Sequence, residues 1–289
     1  MDHLLKPYCI KHHIVLRRGQ SLHVLLALLW NKVLSLKLRL HKRLHGVKSP
    51  IVHYYAVCWN EERMLPLMFD YYSKFVEKFV IYDNGSTDGS RDIIEARKDS
   101  KVIDFVTDGF DDQAHNEIKN KCWKASRGRA DFVVVCDMDE FLYQEDLTRA
   151  LQDMKNNGCT IVRPKGYDMY SETYPSASRP IVEQVNRGVR NPKYDKCILF
   201  DPHAIVEINY LPGAHESHPL GVVKWADNEM KLLHFKNLGL EDLLQRNRLY
   251  MQRLSKNNLE NEWGLEYLRN EESLASEFHA NLKLAERIL

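Results

Sequence analysis

The sequence predicts an α/β fold: a mostly parallel central sheet between helices, an N-terminal amphipathic helix before it and a helical C-terminus after it. Three observations predict this. From Ile51 to Cys136, strand-like apolar runs alternate with helical patterns in the order βαβαβαβ. The fourth run, Phe132–Cys136, is five apolar residues in a row, as a strand covered on both faces requires. Polar clusters follow the first, second and fourth runs, at the strand ends where open α/β sheets bind ligands.

The first element is N-terminal. Leu22, Leu25, Leu26, Leu29, Val33, Leu36, Leu40 and Leu44 recur at helical spacing, with Lys32, Lys37, Arg39, Lys42 and Arg43 interspersed. This basic amphipathic helix either packs on the body or a second subunit, or lies on anionic lipid through residues 21–45. Gly46 and Ser49-Pro50 end it. The strand Ile51–Cys58, the helix Glu61–Val76 and the strand Lys78–Tyr82 come next. Asn84–Gly89 reads as a loop in which Asp88 caps the following helix. Then come a strand over Lys101–Val106, a helix over Asp112–Ser126 and the strand Phe132–Cys136. Beyond Tyr143, strands are expected at Cys159–Arg163, Lys196–Phe200, Ala204–Ile208 and Met230–Phe235. Long loops are expected at Tyr167–Arg190 and Pro212–Asp227. Glu241–Leu289 reads as largely helical. The division is 1–49 as a basic helical extension, 50–238 as the α/β body and 239–289 as a helical segment.

Composition narrows the class. At 44% hydrophobic and 28% charged residues, the chain of 289 residues is an ordinary globular protein. Its net charge of +1 hides an asymmetry: residues 1–50 hold ten Lys or Arg against Asp2, so +9, on a body of −8. The six cysteines, at 9, 58, 122, 136, 159 and 197, form no CxxC pair. They support neither a zinc site nor a disulfide framework, and they fit a cytoplasmic protein. The apolar run Leu22–Trp30 covers nine residues, where a membrane span needs ~20.

The chemistry gathers at three clusters: Asn60-Glu61-Glu62, Asp83 to Asp88, and Asp137-Met138-Asp139-Glu140. All three belong to one edge of the predicted sheet. Acids packed together after a buried strand are costly without a cation. Asp137 and Asp139, two apart on extended chain, can point to one side. Such hard oxygen ligands suit Mn²⁺ or Mg²⁺, which commonly also hold substrate phosphates.

Ile51–Tyr143 resembles the family 2 glycosyltransferases of GT-A fold. Three motifs carry the resemblance in family order: Val57-Cys58-Trp59-Asn60-Glu61-Glu62, Ile81-Tyr82-Asp83-Asn84-Gly85-Ser86-Thr87-Asp88-Gly89, and Val135-Cys136-Asp137-Met138-Asp139-Glu140-Phe141. The resemblance implies transfer of a sugar from a nucleotide-sugar donor to a glycan or lipid-linked acceptor, with inversion. It implies donor contacts at Asn60, Glu61, Asp83, Asn84 and Asp137, and a metal held by Asp137 and Asp139. Glu140 supports that metal or simply holds the loop. Late in the chain, His234 falls where many GT-A enzymes complete the metal shell, and Lys236 would then face the diphosphate. The other reading of His234 is a core histidine bonded to a backbone carbonyl.

The base that deprotonates the acceptor is expected after Tyr143, at Asp168, His215 or Glu216. Gln113, His115 and Asn116 are candidates for donor contacts or a solvated helix start. Tyr167, Tyr170 and Tyr174 form either an acceptor shelf or packing under a loop. Three rival functions are weaker. A nucleotidyltransferase would carry a Gly-rich basic loop where Trp59-Asn60-Glu61-Glu62 stands. A non-catalytic sugar-nucleotide binder would not need intact Asp83, Asp137 and Asp139. No nucleic-acid partner is expected, because the Leu stripe with its single Trp30 does not make a base-stacking surface.

Overall fold

The computed structural model describes residues 12–17, 19–227 and 229–289. Cys9, Lys6, Lys11 and Arg18 lie outside the described residues. In chain order the strands are β1 (Ile14–Val15), β2 (Val52–Cys58), β3 (Lys78–Asp83), β4 (Ser100–Asp104), β5 (Phe132–Val135), β6 (Glu140–Tyr143), β7 (Lys165–Ser171), β8 (Arg187–Arg190), β9 (Leu199–Phe200), β10 (Ile205–Glu207), β11 (Leu220–Val222), β12 (Lys231–Leu238) and β13 (Glu286–Arg287).

The predicted central sheet is present, with order β4-β3-β2-β5-β9. Its first four strands are parallel, and β9 closes the edge antiparallel to β5. Side chains alternate across it with the period of two that a strand imposes. Val52, Tyr54, Ala56 and Cys58 enter the main core with Phe132 and Val134, while Tyr55, Val133 and Val135 enter a second core around Trp123 on the other face. Burial on both faces explains the uninterrupted apolar runs.

A second five-stranded sheet, β13-β8-β7-β12-β6, is mixed. In it β12 runs parallel to β7 and antiparallel to β6. The helix Leu65–Tyr72 anchors its edge. Tyr71 Oη donates to Leu142 O at 2.7 Å, and Tyr72 Oη donates to Glu140 O at 2.8 Å. A small antiparallel sheet, β1-β11-β10, lies beside the N-terminal helix Ser21–His45.

Several expected elements change. The segment Tyr167–Arg190 is not a long loop: it carries most of β7, a short helix at Ile181–Gln184 and β8. Its pattern was unreadable because a central strand carries a carboxylate, Asp168, which is tolerable only through a partner on the next strand. Cys159–Arg163 makes only isolated bridges through Ile161, and Pro212–Asp227 contains β11. The first crossover helix shortens to Leu65–Tyr72, because the residues before it brace a neighbouring loop. The Asp112–Ser126 segment is α-helical to Lys121 and then 3₁₀.

The N-terminal helix also departs from expectation. By length and composition it is long and apolar enough to cross a membrane, since its Leu and Val continue past Lys32. It nonetheless packs along the body by one line of residues: Val24, Leu28, Asn31, Leu38 and Lys42. The leucine stripe read from the sequence, Leu25 apart, is the exposed face.

Candidate active site

The register of the central sheet brings the sequence clusters to one edge. Cys58 pairs with Asp83, so Asn60-Glu61 and the Asp83–Gly89 loop leave adjacent strands together. They are stitched to each other. Thr87 N donates to Asn60 Oδ1 at 2.7 Å, and Asn60 N donates to Ser86 Oγ at 3.0 Å. Glu61 N donates to Ser90 Oγ at 2.7 Å, and Gly89 N donates to Glu62 Oε2 at 2.8 Å. Ser90 N donates to Asp88 Oδ1 at 3.0 Å, but Gly89, not Asp88, holds the N-cap position of the helix Ser90–Glu95. Asp83 is buried, accepts from Ser86 N and lies 3.5 Å from Arg91 Nη1. Asn84 is buried too, with its amide bonded to Thr107 and to His115.

The third cluster forms the turn from β5 to β6. Glu140 Oε2 accepts from Asp137 N at 3.1 Å and Asp137 O accepts from Glu140 N at 3.1 Å, which closes the turn on itself. Strand β12 then sets its partners. His234 pairs in register with Glu140 on one side and Asp168 on the other. Its Nδ1 is 2.7 Å from Asp168 Oδ1, and its Nε2 is 3.5 Å from Asp139 Oδ2. Asn191 Nδ2 donates to the other Asp168 oxygen at 2.6 Å, and Tyr194 stacks on the imidazole at 4.0 Å between ring centres.

Cations answer the acids. Lys119 Nζ donates to Asp137 Oδ1 at 2.5 Å, and the buried Lys196 donates to Glu140 Oε1 at 2.5 Å and lies 3.5 Å from Asp137 Oδ2. Arg246, from the helix Leu240–Arg253, places Nη1 2.9 Å from Asp139 Oδ2 and Nη2 3.4 Å from Glu61 Oε1. Burial alone would raise the Asp137 carboxyl, but Lys119 and Lys196 hold it well below the ordinary range. Burial opposes Asp139 ionisation likewise, and Arg246 with His234 overcomes it. Glu61 is the exception: burial outweighs Arg246 and lifts it to about 7. For His234, burial is outweighed by Asp139 and Asp168, which raise it to about 9. Asp137 remains the open acid, with 38% of its side chain exposed against 3% for Asp139.

Residues 57–212 match the family model described as glycosyl transferase family 2, more than half of the chain. The chain belongs to glycosyl transferase family 2. This family 2 chain is accordingly a glycosyltransferase, with the α/β architecture that the resemblance implied. No curated protein matches it. Among solved structures it is remotely similar to S. aureus TarS 1–349, at 13% identity and a TM-score of 0.41, covering 75% of this chain and 70% of that one. The same TarS piece in complex with UDP gives 14% identity, a TM-score of 0.42 and the same coverage. S. aureus TarS gives 13% and 0.42, with 42% of that chain covered.

A divalent cation would meet a fitting donor pair here: the Asp139 carboxylate, and the His234 imidazole whose far nitrogen Asp168 fixes. Its arrival would displace the Nε2 proton. Asp137 is turned away toward its lysines. Among the described residues, no three His, Cys, Asp or Glu side chains stand together as metal ligands. Asp137 could join such a pair only by releasing Lys119.

The remaining candidates divide. Asp168 is engaged by His234 and Asn191. Exposed His215 bonds Lys193 O and touches Tyr194 edge-on, one ring away from His234. Glu216 is exposed and 3.1 Å from His218. Lys236 shares the face of β12 with His234, sits 4.9 Å over the Tyr267 ring, and lines a cavity of about 110 Å³ with Asp168, Tyr194, Arg246 and Tyr267. Among the tyrosines, Tyr170 is packed on Phe278 and Leu243, and Tyr174 lies 3.9 Å beneath Arg63. Gln113 meets Asn257, and Asn116 donates to Tyr210 O. Sequence reasoning missed Lys119, Lys196, Asn191, Tyr194 and Arg246, because nothing adjacent to them marks them. Only the excess of acids at the strand ends signals that cations must arrive from elsewhere.

Proposed function

We propose that this glycosyltransferase moves a sugar from a nucleotide-diphospho-sugar to a hydroxyl of a glycan or lipid-linked acceptor, with inversion, in the cytoplasm. One observation carries the reading: Asp137, Asp139 and His234 meet Lys119, Lys196 and Arg246 at the carboxyl edge of a parallel sheet, beside Asp83 and Glu61. Buried charges of both signs are expensive to assemble, and groups with strongly shifted pKa values cluster at functional sites.

Asp83, with the Asn60–Thr87 clasp beside it, receives the nucleoside. Arg246, Lys119 and Lys236 receive the diphosphate. Asp139 and His234, joined by Asp137 once freed from Lys119, would hold Mn²⁺ or Mg²⁺, which would supply positive charge against the diphosphate leaving group. The acceptor enters by the cavity beside Lys236 and Tyr194. Asp168 orients His234, which leaves His215 and Glu216 as base candidates on the facing loop.

A melting and hydrolysis screen of nucleotide sugars with Mn²⁺ or Mg²⁺, with Asp139→Ala as control, tests this. A donor-dependent rise in Tm and slow donor hydrolysis are expected, both lost in the variant. No response to any nucleotide sugar, or an unchanged response in Asp139→Ala, sinks the proposal.

A further inference from the structure

The helix Ser21–His45 has two unlike faces and contains no Asp or Glu. Its docked face packs Val24 and Leu28 on Val206 and Leu220, and Leu38 on Ile51 and Ala130. Asn31 donates to His203 O at 3.0 Å, and Lys42 is 2.7 Å from Asp131. At about 100° per residue, the positions from Leu22 to Leu44 that recur every three or four residues fall on the opposite side. There Leu22 is 69% exposed, Leu29 61%, Leu36 64% and Leu44 74%. Single exposed leucines are ordinary, but a continuous stripe along a whole helix marks an interaction surface. Exposed cations border the stripe: Lys32, Arg39 and Arg43 along one edge and Lys37 along the other.

The basic edge ends in a cleft of about 340 Å³ lined by Arg39, Lys42, Arg43, Lys48 and Lys155, with no acid among its lining residues. Asp131 holds Lys42 and Lys155. Among the described residues, none of the ion pairs involves Arg39, Arg43 or Lys48. Cations in the last turn offset the helix dipole. Lys48 and Lys155 lie outside the helix, so that effect does not account for the cleft.

We propose that this face docks on an anionic bilayer. The leucine stripe lies in the headgroup–acyl boundary, the bordering cations meet headgroups, and the cleft of Arg39, Arg43 and Lys48 takes the phosphate of one anionic lipid. Charge selects this occupant. A second copy laid stripe to stripe would bring basic edges toward basic edges, whereas an anionic surface complements them. A helix crossing the bilayer would have to abandon the Lys42–Asp131 pair, the Asn31 bond and the packing of Val24, Leu28 and Leu38. The docking goes beyond the transfer reading, and it is measured without any sugar donor.

Flotation of the full chain with vesicles of phosphatidylcholine, with and without phosphatidylglycerol, is the test. Binding is expected only with phosphatidylglycerol, weakened by salt and fully released by alkaline carbonate. Leu29→Glu with Leu36→Glu should abolish it. Arg39→Ala with Arg43→Ala should weaken it on the order of 30-fold, from ~1 kcal/mol per cation near a charged membrane. Lys98→Ala with Lys101→Ala, away from the face, should leave it unchanged, and melting curves should match across all variants. Equal binding to neutral vesicles, survival of binding in the Leu29→Glu/Leu36→Glu variant, or resistance to carbonate overturns the proposal. So does saturable binding of inorganic phosphate, or dimerisation through the stripe, without flotation.

Discussion

His234 and Asp168 face each other on neighbouring parallel strands, with the imidazole Nδ1 2.7 Å from the carboxylate Oδ1. That bond aims Nε2 at Asp139. Asp168→Asn should therefore lower donor turnover and metal affinity by about 10–100-fold, the usual cost of losing such an orienting partner, while the fold survives. Metal titrations of the two proteins would show it, and equal half-saturation would remove Asp168 from the site.

Arg246 joins Asp139 and Glu61. Arg246→Ala leaves the largely buried Glu61 without its cation and Asp139 with His234 alone, so stability should drop by about 3 kcal/mol. In a chain of this size that means roughly 2–4 °C of Tm for each kcal/mol. Adding Glu61→Gln should restore part of the loss. A double variant less stable than Arg246→Ala would contradict the bridge.

Tyr194 stacks on His234, and Gly166 makes room for it. A Cβ on Gly166 would overlap the Tyr194 backbone carbonyl and Cβ. Gly166→Ala should cost about 1–3 kcal/mol from overpacking and should also impair donor turnover by shifting the ring. Calorimetry together with a hydrolysis assay separates this from a neutral change.

His53, deep in β2, bonds Ser126 Oγ at 2.8 Å, and burial with nearby Lys78 and Arg129 lowers it from 6.5 to about 4. The unfolded chain takes up this proton first as pH falls. The contribution is thus complete above pH 6.5 and is lost on the way down to pH 4, about 3 kcal/mol in all at ~1.4 kcal/mol per pH unit. Urea unfolding at several pH values should show that slope flattened in His53→Gln. An equally steep slope in the variant would assign the acid sensitivity elsewhere.

The parts of this molecule that were legible in its sequence are those in which neighbouring residues share one fate. Strands β2, β3 and β5 are covered on both faces, so their apolar runs speak for themselves, and the acids after them mark the carboxyl edge. Strand β7 was not legible, because Lys165 and Asp168 contradict burial until His234 and Asn191 are known to meet the carboxylate. Lys119, Lys196 and Arg246 were hidden for the same reason: each is an ordinary helix or loop cation locally, and its meaning lies in acids far off in the chain. The leucine stripe does mark one face of a helix, but the face packed on the body is the opposite one, held by Val24, Leu28 and Leu38.

Arg246 and His234 both lie beyond residues 57–212, the segment matched by the family. During synthesis the nascent chain thus carries Asp139 well before the imidazole and guanidinium that steady it are made, whereas Asp137 meets Lys119 and Lys196 from within the matched segment. A chain interrupted at residue 212 would hold Asp137 and Glu140 with their lysines but leave Asp139 with neither His234 nor Arg246. The charge balance around Asp139 is therefore complete only once the helix Leu240–Arg253 has been made.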